Sequence, residues 1–154
     1  MRRSQAGTTT VEIAIVGLVV LVTLFAVIEI NRALFVVNAL TEATRRGARM
    51  AAVCPVGDAK PATVAAMTNA GGNSAISGLT TSNIQVQYLD TNGNVIANPT
   101  ANFGTIFYVR VSITGFSLPL IIPTLMPTLA PNGFQTTLPR ESLGVPRTGA
   151  VQPC

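Results

Sequence analysis

The chain has no histidine, no tryptophan and only two cysteines in 154 residues. Without histidine, the side chain that most often moves a proton near neutral pH is missing. Cys54 and Cys154 stand at opposite ends of the C-terminal portion, so neither they nor any carboxylate pair has metal-ligand spacing. Charged residues make up only 10% of the chain, low for a soluble globule, and the few carboxylates are scattered, leaving little for acid–base chemistry. No nucleophile elbow, phosphate-binding loop or dinucleotide fingerprint occurs. The expectation is a protein that is not an enzyme and that needs no cofactor or metal.

The basic balance, a net charge of +4, invites a nucleic-acid reading. The placement of the charge argues against it. Arg2, Arg3, Arg32, Arg45, Arg46 and Arg49 lie in the N-terminal third, and beyond Ala52 four cations (Lys60, Arg110, Arg140, Arg147) face three anions (Asp58, Asp90, Glu141). A face that neutralises many phosphates has to be densely basic, and this one is not. No nucleic-acid partner is expected.

What the chain does have is apolar length. A short basic leader is followed by Gly7-Thr8-Thr9-Thr10-Val11-Glu12 and an uncharged run from Ile13 to Ile28. Sixteen residues rise about 24 Å as a helix, slightly short of the hydrocarbon core of a bilayer, and Val11 with interfacial Glu12 and Glu29 completes a span over 8–30. A carboxylate at membrane depth costs roughly 2.5–3.5 kcal/mol on insertion scales at a helix centre, so Glu12 requires a purpose. From Ile30 to Val53 small and apolar residues recur at three- and four-residue steps (Leu34, Val37, Thr41, Thr44, Ala48, Ala51), an amphipathic continuation over 31–53 that ends at Cys54-Pro55. One helix from about Thr10 to Val53 is expected, on the order of 65 Å long.

A C-terminal domain over 54–154 follows. Asp58 is placed to cap a short second helix with Pro61 in its first turn, closed by Ala70-Gly71-Gly72. Ile84–Tyr88 alternates as a half-buried strand, and Asp90-Thr91-Asn92-Gly93 signals a turn into Val95-Ile96. Phe107, Val109, Val111 and Ile113 form one face of the next strand, and a last strand spans Phe134 to Leu138. The predicted fold is α+β, a long helix packed on three to four antiparallel strands. Between the last two strands, 116–131 is apolar with a proline at every fourth position from Pro119, which rules out a straight second membrane helix. It reads either as a loop covering the sheet and helix or as a surface that docks a partner or rests on the bilayer.

The leader glycine with glutamate five residues later resembles a type IV prepilin, in which Gly7 ends the leader 1–7, Thr8 is the new N-terminus and Glu12 the fifth mature residue. The stretch from Val27 to Ala52 resembles the TadE-like family of minor pilin-like proteins of the tight-adherence (Tad or Flp) pilus. The matching elements are Glu29 and Arg32 past the span, Phe35, Asn38-Ala39-Leu40, and Arg46-Gly47-Ala48-Arg49. Ile30 departs from the pattern, since the family usually has an aromatic there.

The resemblance implies a minor pilin or pseudopilin that initiates, primes or caps the pilus. It further implies cleavage by a prepilin peptidase, a cytoplasmic N-terminus and a periplasmic domain. The partners it implies are other pilin-like subunits, the Tad inner-membrane assembly platform and the lipid bilayer. Glu12 would neutralise the Thr8 ammonium of a neighbour. A Cys54–Cys154 disulfide suits an oxidising periplasm and the stapling common in such domains. Lysine and arginine counts alone, two before the span and four shortly after, do not favour this orientation. Two readings from other classes stay open: a secreted or periplasmic ligand-binding domain behind a cleavable signal peptide, and a bitopic anchor subunit. N-terminal sequencing separates the first, since a Thr8 start and a start after about residue 30 exclude each other.

Overall fold

The computed structural model describes residues 5–67, 74–119, 128–130, 133–145, 150–151 and 153–154. The chain forms two compact units, residues 1–35 and 36–154. Helix α1 (Gln5–Val53) supplies all the described structure of the first and opens the second. It begins upstream of the expected Thr10. Gln5 and Ala6 are good helix formers, and Gly7 weakens a helix by only about 1 kcal/mol relative to alanine. In the first unit the large apolar side chains from Val11 to Phe35 are exposed.

In the second unit the buried face of α1 is Val36, Leu40, Ala43, Thr44, Gly47, Ala48, Ala51 and Ala52. This corrects the expected stripe at its N-terminal end. Leu34 is exposed, Val37 and Thr41 are half-buried, and Leu40 is fully enclosed instead. The seam mixes alanine, glycine and threonine with two larger residues, so periodicity alone placed its centre a fraction of a turn away.

The sheet has three antiparallel strands in the order β1–β2–β5. Strand β1 (Ile84–Leu89) pairs with β2 (Tyr108–Ile113) from Ile84 opposite Ile113 to Leu89 opposite Tyr108. Strand β5 (Gln135–Pro139) lies on the other side of β2, from Tyr108 opposite Pro139 to Ser112 opposite Gln135. Together with α1 this is the expected α+β arrangement. Val109, Val111 and Ile113 are buried as the alternation predicted; Phe107 is exposed, and Ile106 takes the interior position at that end. The turn after β1 closes with the Gly93 amide on the Asp90 carbonyl, 3.1 Å. Asp90 Oδ1 also accepts the amides of Asn92 (2.8 Å) and Asn94 (2.9 Å). Val95 makes one isolated bridge to Leu89, so the returning segment is a turn arm and not a strand.

Helix α2 (Lys60–Ala65) begins after Ala59, with Pro61 in the first turn. Asp58 stands one residue before the cap position, and its carboxylate accepts the Lys60 amide at 2.8 Å. The helix ends at Ala65 with Ala66 at its C-cap, before the expected close at 70–72, which itself lies outside the described residues. Within the apolar stretch 116–131, β3 (Leu118–Pro119) pairs with β4 (Thr128–Leu129), and Phe116 and Leu118 are buried, as cover for the domain requires. Pro123, Pro127 and Pro131 lie outside the described residues.

Candidate functional site

The residues singled out by sequence do not converge on one pocket; they are strung along α1 and at its C-terminal end. Gly7 sits within the helix, and a methyl group added to it would meet nothing within 4 Å. Thr8 and Glu12 are exposed, and the residues after Glu12 present apolar side chains outward as far as Ile28. Gly7–Val53 is, among the described residues, the helix long and apolar enough to cross a membrane, which is compatible with a single-pass anchor.

Near the end of the apolar run Arg32 Nη1 lies 3.1 Å from Glu29 Oε1, an i, i+3 ion pair on one helix face. Two residues into the second unit Asn38 is exposed. Arg46 Nε donates to Glu42 Oε1 at 2.8 Å. The Arg46 guanidinium holds the Glu42 carboxyl below its ordinary range, and the fields of Arg45 and Arg49 act in the same direction. All three arginines are exposed.

Gly47 faces the opposite way. A methyl group there would lie 2.6 Å from Ala65 Cβ, 3.2 Å from Val111 Cγ1 and 3.3 Å from the Pro61 carbonyl. The hydrogen at this position lets α1 approach α2 and β2 together. One turn earlier Thr44 Oγ1 donates to the Thr41 carbonyl at 2.9 Å and accepts from Thr136 Oγ1 on β5, also at 2.9 Å. Those bonds satisfy the one buried polar side chain on this face.

The C-terminal end of α1 carries a structure that sequence reading did not anticipate. A helix leaves its last carbonyls without internal partners. Here the Ala52 carbonyl accepts the amides of Glu141 (3.1 Å) and Leu143 (3.3 Å), and the Val53 carbonyl accepts the Gly144 amide and the Ser142 hydroxyl. Residues 141–144 therefore cap the helix from across the fold. Leu143 holds a left-handed conformation, φ 47°, while its side chain is buried. Gly144 is left-handed as well, and a methyl group on it would lie 2.7 Å from Pro55 Cδ. Beside this cap Cys54 and Cys154 are joined by a disulfide with Cα atoms 5.6 Å apart, and the Cys154 amide donates to Asp58 Oδ2 at 3.2 Å. The Ser142-Leu143-Gly144 string has turn composition, but nothing in it names the helix end it would meet.

This arrangement offers hydrophobic stem surface, paired and unpaired charge, and a fastened helix end; it suits binding and assembly. No curated protein and no solved structure matches the chain. Residues 7–49 match the family model described as TadE-like protein, and the match overlaps most of the stretch from Val27 to Ala52 through which the sequence resembles that family.

Proposed function

We propose that the chain is a minor pilin or pseudopilin that helps initiate, prime or cap the Tad pilus, acting by assembly and not by catalysis. The observation that carries this reading is that the TadE-like match over 7–49 coincides with a helix whose large apolar side chains are exposed from Val11 to Phe35. Such a surface is costly in water, so it belongs in lipid or against other stems. The reading places residues 8–30 in the inner membrane, the N-terminus in the cytoplasm and the unit from Val36 onward in the periplasm. Its partners are other pilin-like subunits, the inner-membrane assembly platform and a prepilin peptidase.

In this reading Gly7 and Thr8 flank the cleaved bond. A protease needs its substrate unwound, and glycine within α1 lowers the cost of unwinding at that point. Once Thr8 carries a free ammonium, Glu12 of a neighbouring stem neutralises it, and the low dielectric makes the pairing specific for one axial register. The test is the mature N-terminus. Gly7→Phe should leave a full-length precursor in cells containing the peptidase, while the wild type begins at Thr8. Mass spectrometry finding the same mature N-terminus in both proteins overturns the cleavage assignment.

A further inference from the structure

The second unit concentrates positive charge on one surface. Arg45, Arg46 and Arg49 are exposed on the side of α1 opposite the seam of Ala43, Gly47 and Ala51, and Asn38 and Glu42 share that outward side. Glu42 partners Arg46. Arg45 and Arg49, one turn apart, form no hydrogen bond or ion pair among the described residues; their fields act on the same Glu42 carboxylate from farther away. Like charges at this spacing repel, and within the helix only the more distant field of Glu42, already partnered by Arg46, offsets that cost. Arginine presents a planar fork that takes a carboxylate through two parallel hydrogen bonds, which mere solubility does not require.

Two sources of negative charge are available to a membrane-anchored subunit: lipid headgroups and carboxylates. Arg45 lies fifteen residues past Ile30, about 22 Å of helical rise. The interfacial layer on one side of a bilayer is only about 5–8 Å thick. Distance along the helix therefore favours carboxylates. We propose that Arg45 and Arg49 dock a helix of another pilin-like subunit that presents carboxylates three or four residues apart, with Glu42 repelling any register that sets an acid against it. The inference rests on the reading of the chain as a pilus subunit, and it names the chemistry of the neighbour.

The experiment places the photo-crosslinker p-benzoylphenylalanine at Asn38, on the arginine face, and separately at Val20, in the apolar stem, of the full chain in cells that assemble the pilus. The Asn38 probe should capture a stem-bearing subunit at a helical segment containing such a carboxylate pair. Arg45→Glu with Arg49→Glu should lower that product at least tenfold, and Arg45→Lys with Arg49→Lys should keep at least half of it. Both arginine side chains are exposed, so thermal melting of the purified variants should match the wild type and exclude misfolding. An adduct that is lipid, a captured segment without carboxylates, or a yield unchanged by charge reversal each overturns the inference. A product from Val20 without one from Asn38 overturns this inference alone. Absence of subunit products from both positions overturns the pilus-subunit reading as well.

Discussion

At Gly47 a single hydrogen decides how closely α1 meets the rest of its unit. Three groups surround the place where a methyl would sit, two of them on other elements' rigid parts, Ala65 Cβ and the Pro61 carbonyl. Gly47→Ala should gain up to about 1 kcal/mol of helix propensity yet lose about 1–3 kcal/mol to overpacking, so the melting temperature should fall. Gly47→Val should fall further. An unchanged or raised melting temperature for both variants, followed by circular dichroism, contradicts the close approach described. Small residues surround Gly47 in the sequence, but the contact was not legible there, because its partners Ala65 and Val111 come from distant segments. Glu42 supplies a second test at this scale. Its carboxyl titrates lower folded than unfolded because Arg46 donates to it, so its contribution is present above the unfolded carboxylate range and is lost as pH falls through the folded value. The pair is exposed, so salt should weaken the effect. Glu42→Gln should flatten the acid side of the curve of urea midpoint against pH at low ionic strength; an unchanged curve removes the pair from the account.

At the scale of elements, the helix and the central strand were legible because each has one dominant period. The run Ile13–Ile28 has no competing signal, and Val109, Val111 and Ile113 alternate cleanly. What failed was what depends on contact. The Asp90 turn returns as an arm because only Val95 bridges to Leu89, and Phe107 stays outside because Ile106 occupies the interior. Phe107 instead lies 5.8 Å from the Arg140 guanidinium, as Phe103 does, and Arg140 Nη1 donates to the Phe103 carbonyl at 3.0 Å. The cap on α1 belongs to the same class of feature, a contact between helix end and distant loop. Gly57 and Gly144 both hold left-handed backbones, but only Gly144 is crowded by Pro55. Gly57→Ala should therefore cost about 1–2 kcal/mol, the usual left-handed penalty, and Gly144→Ala distinctly more. Equal denaturation midpoints for the two variants would remove the cap from the account. Reducing Cys54–Cys154 should release the neighbouring tail as well. Closing a loop of this length contributes ~4–5 kcal/mol on the chain-entropy model and often less when measured, so the melting temperature should drop on the order of 10 °C. Labelling of both cysteines by a thiol reagent in protein isolated without reductant would contradict the bridge.

At the scale of the whole molecule, the chain divides its chemistry between an apolar stem with exposed side chains and a unit with its own core. The TadE-like likeness covers the apolar helix and the start of that unit, and it was legible because its residues run in linear order along one helix. The C-terminal unit, whose strands pair across long separations, has no such linear signature. The central claim is that the stem works by assembling with other stems, and Glu12 is where that claim is most exposed. Glu12→Ala removes a burial cost, so membrane insertion should hold or improve. The same change removes the partner for a neighbour's Thr8 ammonium, so assembly should fail, and Glu12→Gln should fail with it. Glu29→Ala, closer to water and already beside Arg32, should be milder. The most direct measurement counts surface pili on cells whose only copy of the chain is wild type, Glu12→Ala or absent, with insertion and the mature N-terminus checked in parallel. The account predicts normal pili with the wild type, and few or none with an inserted, processed Glu12→Ala protein or with no copy. Normal pili from the inserted and processed Glu12→Ala protein, or from cells lacking the chain altogether, would contradict it.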